Sequence, residues 1–215
     1  MIIHEHIQGS AEWHEERHGK IGGTSLKSLM LKKPIETSAL FIELLSKNCE
    51  NFKFDPGYTS DDMQRGIDLE PIARAEANIY TGLNFVEFGW CENTKHPISG
   101  CSPDGFTEDM KMGLEIKCPS AKTHTKYLLD NTLPDEYFWQ CINYFLVNKD
   151  LEKLYFVSYR PENNFKPLFV TTITRDQELL HAKQKATVQA FVEMAESKLE
   201  CIQPMIDSEV NLLSF

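Results

Sequence analysis

Apolar positions recur at spacings of three and four through the N-terminal part of the chain, and at a spacing of two beyond it. Helices are predicted from Ser10 to His18, closed by Gly19, from Ser25 to Lys32, closed by Pro34, and from Thr37 to Asn48. A loop from Phe52 to Tyr58, carrying Pro56-Gly57, leads into a longer helix from Asp61 to Tyr80 that Gly82 stops. Strands are predicted near Phe85–Cys91, Ile98–Cys101, Gly113–Cys118, Lys153–Tyr159 and Pro167–Ile173, with a helix inserted from about Pro134 to Val147. A final helix should start near Thr174, whose hydroxyl can cap it, with Asp176 and Glu178 in its first turn, and run to about Cys201. Its stripe of Leu180, Thr187, Phe191, Met194 and Ile202 reads as core packing. The order predicts a mixed α/β layered fold, and the lack of repeats or Gly/Ser-rich linkers predicts one domain over residues 1–215.

Composition narrows the function more than the fold. The 22 Lys and Arg stand against 32 Asp and Glu, a net charge of −10 that argues against a generic basic nucleic-acid binder. A nucleic-acid partner would have to meet a local positive surface or a cation held by carboxylates. No apolar run approaches the roughly 18 residues of a membrane span, and the first residues, with His4 and His6, lack a signal pattern and read as a frayed terminus. The expectation is an unexported protein with no membrane partner. The six cysteines form no C-x-x-C pair, which fits a reducing compartment and argues against a disulfide framework or a cysteine-held metal.

Two short motifs carry the chemistry. Pro103-Asp104-Gly105 precedes Leu114-Glu115-Ile116-Lys117, with the two acids 11 residues apart. On a strand, Glu115 and Lys117 share one face while Leu114, Ile116 and Cys118 share the other. If the preceding strand pairs with this one, Asp104 reaches Glu115, and two close carboxylates need a proton or a cation between them. Oxygen ligands suit Mg²⁺ or Mn²⁺, and a neighbouring lysine can orient or deprotonate a water and offset phosphate charge. Each motif also has a plain structural reading, a turn in one case and a solvated charge pair in the other.

Together, in this order, the motifs resemble the PD-(D/E)xK nuclease core, and more closely the bacteriophage lambda exonuclease family, the YqaJ-type viral recombinases. Four blocks carry the likeness: Trp13-His14-Glu15-Glu16-Arg17 running on to Gly23-Thr24-Ser25; Arg65-Gly66-Ile67-Asp68-Leu69-Glu70; Cys101-Ser102-Pro103-Asp104-Gly105 with Leu114 to Pro119; and Tyr137-Phe138-Trp139-Gln140 with Tyr144. The resemblance implies an α/β, restriction-endonuclease-like core, a small mixed sheet flanked by helices behind a helical N-terminal part. It implies that Asp104, Glu115 and the Ile116 carbonyl bind Mg²⁺, for which Mn²⁺ can substitute, that Lys117 positions the attacking water, that Glu70 is a further acid near a second metal, and that Gln140 contacts the water or the metal shell. Arg17, Ser25 and Ser102 match a pocket for the 5′ phosphate of a DNA end. Separately, Lys111, Lys117, Lys122 and Lys126 against the one acid Glu115 make a basic segment that could grip a phosphate backbone, so Lys122 and Lys126, with Tyr137, are expected DNA contacts. Gly22-Gly23 departs from the bulkier residues usual before Ser25. The residues alone leave other assignments open: a Glu70–Arg74 pair at i,i+4, an N-cap at Ser25, an ion pair of Arg17 with Glu12 or Glu16, and solvated lysines.

The activity implied is metal-dependent 5′-to-3′ degradation of one strand of linear double-stranded DNA for phage-type recombination. The protein would be phage or prophage encoded, act in the cytoplasm of a bacterial host, form a homotrimer, and hand its product to a single-strand annealing protein. Three readings compete. An endonuclease on the same core is countered by the 5′-phosphate trio. A DNA-end-binding module without catalysis is countered by the intact Asp104, Glu115 and Lys117. His14-Glu15-x-x-His18 matches the H-E-x-x-H zinc metallopeptidase string, but Gly19 follows directly and no clear third ligand does.

Overall fold

The computed structural model describes residues 1–31, 34–55, 57–176 and 178–212, without the side chains of 37, 178–180 and 205–212. Lys32 at the end of the second expected helix, Pro56 of the expected turn and the Leu180 side chain lie outside the described residues.

The N-terminal half is helical: α1 (Ala11–Glu16), α2 (Gly23–Leu31), α3 (Ala39–Cys49) after a 3₁₀ turn, and α4 (Asp61–Thr81). Serines set three of the starts. Ser10, Ser38 and Ser60 each accept, through Oγ, the backbone N–H three residues on, satisfying an amide the helix leaves unpaired. Gly82 caps α4 in the left-handed region at φ 69°, where a side chain would be strained. α2 begins two residues before Ser25, so Ser25 is not its cap, and α1 ends before His18.

Two small sheets follow. Strands β1 (Ile2–His4), β2 (Trp90–Glu92) and β3 (Gly100–Cys101) form an antiparallel ribbon. Strands β4 (Gly105–Phe106), β5 (Met112–Lys117), β6 (Lys153–Tyr159) and β7 (Leu168–Thr174) form a mixed sheet, with β5 and β6 parallel and the outer pairs antiparallel. The parallel step from β5 to β6 needs a crossover. Helices α5 (Ala121–Asp130) and α6 (Phe138–Val147) provide it, and α7 (Glu178–Leu212) closes the chain.

The core has three parts. Leu114, Ile116, Val157 and Tyr159 pack against Ala73 and Ala77 of α4 on one face of the mixed sheet. Phe106, Phe156, Leu154 and Phe169 pack against Cys141, Tyr144 and Phe145 of α6 on the other. The third joins α2 and α3 to Phe191 and Met194 of α7, with Trp139 touching this part and the second.

Further expectations change. Ile2–His4 is a strand rather than a frayed end, because β2 offers it a complete ladder. The strand expected over Phe85–Cys91 shrinks to Trp90–Glu92, preceded by a single bridge from Val86 to Phe106. Helix α5 was not anticipated. Thr174 ends β7 instead of capping α7, and its hydroxyl bonds Asp176.

Candidate active site

The hairpin of β4 and β5 builds the centre of the site. Gly105 pairs with Leu114, so Asp104 stands at the strand entrance beside Glu115. Asp104 Oδ2 accepts the Ile116 N–H at 2.6 Å, which ties the acid to β5. Burial, together with the Glu115 charge, holds the Asp104 carboxyl well above the usual carboxylate range.

Glu115 is wholly buried in the mixed sheet. Its Oε2 accepts the Tyr144 hydroxyl at 2.7 Å, while Oε1 lies against the Lys117 ammonium without an aligned hydrogen bond. Burial works against a charged Lys117, but Glu115 and Asp104 outweigh it and raise its pKa above the ordinary lysine value. The ammonium sits 5.2 Å from the centre of the Tyr137 ring. Alternation along β5 therefore places Glu115 and Lys117 on one face as expected, except that this face meets α6 rather than open solvent.

Glu70 reaches the same place from α4. A cleft of about 690 Å³ is lined by Glu70, Asp104, Ile116, Lys117 and Tyr137, with Trp13 and the α4 residues Met63 and Ile67 on its wall. Burial raises the Glu70 pKa, and the nearby Arg74 works against that rise. Arg74 Nη2 donates to Glu70 Oε1 at 2.6 Å, so the i,i+4 pair and the placement of Glu70 in the cleft both hold.

Of the remaining residues, Arg17 and Ser25 share one hollow and Lys126 borders another, while Ser102, Gln140 and Lys122 line neither. Arg17 and Ser25 line a neighbouring cleft of about 580 Å³ with Lys20, Lys47 and Lys53. Trp13 stands between the two: its indole N–H donates to Ser102 Oγ at 2.9 Å, and the Arg17 guanidinium stacks 3.8 Å over its ring. Arg17 makes no ion pair among the described residues, and burial pushes its pKa down to about 10, still charged at neutral pH. Gln140 packs against Gly23, where a Cβ would lie 2.8 Å from Gln140 Cγ, so the unusual glycine is what admits this side chain. Lys122 and Lys126 are exposed on α5, and Lys126 borders a hollow that also contains Asp130, Asp135 and Glu136.

Trp13, Arg74 and Tyr144 form part of this arrangement although the sequence reading gave them no role there. The i,i+4 spacing of Glu70–Arg74 and of Gln140–Tyr144 was the available signal for two of them. The zinc string does not form a site. His18 lies outside α1 with Nε2 on the Lys47 carbonyl at 2.6 Å, and the His14 ring packs on Trp13 and Phe54.

Among the described residues, no three His, Cys, Asp or Glu side chains converge as ready metal ligands. The donors present nevertheless fit a hard divalent cation. Glu115 Oε1 is buried against the Lys117 ammonium without an aligned hydrogen bond, Asp104 Oδ1 accepts no hydrogen bond among the described residues, and Asp104 and Ile116 both line the cleft. Asp104, Glu115 and the Ile116 carbonyl would hold such an ion.

A profile of the YqaJ-like viral recombinase domain matches residues 12–149. No curated protein sequence matches significantly. The alkaline exonuclease LHK-Exo from Laribacter hongkongensis is similar at 28% identity and a TM-score of 0.79, over 93% of this chain and 99% of its own. LHK-Exo in complex with dAMP matches at the same identity and coverage with a TM-score of 0.78. A phage related exonuclease from Haemophilus somnus 129PT, at 16% identity and a TM-score of 0.54 over 86% of this chain and 96% of its own, shares the fold alone. The mixed sheet, its helical flanks and the likeness to LHK-Exo make this a PD-(D/E)xK-type fold. With the profile spanning more than half of its length, the chain belongs to the YqaJ-like viral recombinase domain family.

Proposed function

We propose that the protein is a Mg²⁺-dependent exonuclease that degrades one strand of linear double-stranded DNA from its 5′ end. The observation that carries the reading is the hairpin that sets Asp104 and Lys117 on one cleft, with Glu115 buried beside Asp104 and against the Lys117 ammonium. Family membership and the likeness to an alkaline exonuclease solved with dAMP support it.

When bound, Mg²⁺ supplies Lewis-acid polarisation of the scissile phosphate and neutralises its charge. Asp104 and Glu115, with the Ile116 carbonyl, hold the ion, and Glu70 adds an acid on the α4 side. Lys117, whose ammonium lies against Glu115, positions the attacking water and offsets the developing phosphate charge. Gln140 orients the same water. Tyr144 fixes one Glu115 oxygen, and the other, which lies against the Lys117 ammonium, is the one that would meet the cation.

Arg17, Ser25 and Ser102 receive the terminal 5′ phosphate, since a guanidinium and two hydroxyls make a charge-assisted anion site. Trp13 joins that pocket to the cleft through Ser102 and Arg17. Tyr137, Lys122 and Lys126 contact the DNA. The product is a duplex with a 3′ overhang, the substrate of a single-strand annealing protein in phage-type recombination, and the working form is a homotrimer around the duplex.

Digestion of end-labelled linear duplex with Mg²⁺ tests the reading. Linear DNA with 5′-phosphate ends should be degraded faster than DNA with 5′-hydroxyl ends, and closed circular duplex should survive. Cleavage of circles as fast as linear duplex would instead assign an endonuclease.

A further inference from the structure

Besides the groups given roles in the proposed chemistry, the site contains one largely buried cation, Arg74, whose side chain is 12% exposed on α4. Its Nε donates to the Asp104 carbonyl at 2.6 Å, and Nη2 donates to Glu70 Oε1 at 2.6 Å and to Glu87 Oε2 at 3.0 Å. One planar group thus joins the helix, the segment before β2 and the residue that opens β4. Asp104 is held at two points, its carbonyl by Arg74 and its carboxylate by the Ile116 N–H. Glu70 is held by the same guanidinium. Pinned at backbone and side chain, the acids keep little freedom to rotate away from the cleft.

We propose that Arg74 is the positioning residue of the cation site: it sets Asp104 and Glu70 for divalent-cation binding while touching neither the cation nor the DNA. The inference rests on the metal-dependent reading of the cleft. A role through charge alone has the opposite sign, because an arginine beside two acids competes with Mg²⁺ for them, and neutralising it would tighten cation binding. A positioning role requires that neutralising it weakens binding. It also requires that lysine fail as a substitute, since one ammonium cannot reproduce the fork that spans the Asp104 carbonyl and two carboxylates.

Titration calorimetry of the full chain with Mg²⁺, alongside cleavage measured against Mg²⁺ concentration, decides between the two. Arg74→Gln and Arg74→Lys should each weaken cation binding by about tenfold or more, as expected for outer partners of metal ligands, and raise the half-saturating Mg²⁺ for cleavage in step. Glu87→Gln, which removes the charge of the outer anchor and leaves the other contacts, should show a smaller loss in the same direction. Melting curves identify any variant that does not fold, and if Arg74→Gln is one, the charge-retaining Arg74→Lys decides. Unchanged or tighter binding in Arg74→Gln, or full rescue by lysine, would overturn the inference. If Asp104→Asn abolishes Mg²⁺ binding while both Arg74 variants bind normally, the inference fails and the metal-dependent reading survives. If the unaltered chain binds no Mg²⁺, both fail.

Discussion

At the scale of single residues, the site is a crowd of charges that the fold holds together against repulsion. Asp104 is the sharpest case, because its carboxyl is pushed upward by burial and by Glu115. A raised folded-state pKa means that the ionised form costs stability above that pKa, and that the cost fades as pH falls through it. Asp104→Asn keeps an acceptor for the Ile116 N–H and removes the charge. It should therefore raise the melting temperature of the metal-free protein at pH 8, lose that advantage as pH approaches 4, and abolish Mg²⁺-dependent cleavage. A variant that melts lower than the unaltered chain at pH 8 would contradict the argument. Lys117→Ala should retain Mg²⁺ binding by calorimetry and lose most turnover. Arg17→Ala should narrow the preference for 5′-phosphate ends by about tenfold or more, because a charge-assisted hydrogen bond is worth roughly 1.5–3 kcal/mol. Equal rates on both ends in the unaltered protein would remove the case for that pocket.

At the scale of elements, close approach decides which changes the fold tolerates. Gly100 on β3 has no room: a Cβ there would lie 2.3 Å from Trp90 Cζ2 and 2.6 Å from the Cys91 carbonyl. Gly100→Ala should cost about 3 kcal/mol in urea unfolding, since backbone and a buried indole cannot both move aside. Gly66, inside α4, meets nothing within 4 Å. There Gly66→Ala should add about 0.5–1 kcal/mol through helix propensity alone. Among the helices that the sequence announced, α4 is bounded at both ends by local signals, a serine cap at Ser60 and a stop at Gly82. Helix α5 also has a serine cap, Ser120, but its stop is Asn131 in the left-handed region, and its buried side chains include His124, which a hydrophobic pattern does not count. His124 is buried because Ser158 and the Lys166 carbonyl take its two ring nitrogens, partners 34 and 42 positions away.

At the scale of the whole molecule, the question is how a chain with a net charge of −10 stays on DNA. The proposed homotrimer, closed around the duplex, would replace tight phosphate binding with topological retention. Loading would then depend on screened charge contacts and retention would not, so processivity should resist salt better than initial loading does. Light scattering combined with degradation in the presence of trap DNA tests both halves. A monomer that releases DNA after each cut would refute the ring and leave the cation site standing. Among the described residues no helix is long and apolar enough to cross a membrane, in line with the composition.

The sequence by itself determined what is local. Period and caps placed most helices and the strands β5, β6 and β7, and the Pro-Asp-Gly and Glu-Ile-Lys motifs marked the acids and the lysine, because strand alternation puts Glu115 and Lys117 on one face whatever surrounds them. Tertiary structure decided everything that depends on partners distant in the chain. Glu115 is buried because α6 covers that face, and Tyr144 meets it from 29 positions away. Trp13 stands between the two clefts because its indole finds Ser102, 89 positions on. Arg74, which in the sequence was only a partner for Glu70, reaches the Asp104 carbonyl 30 positions away. Such contacts follow from how sheets and helices pack, and periodicity along the chain has no information about which faces will meet.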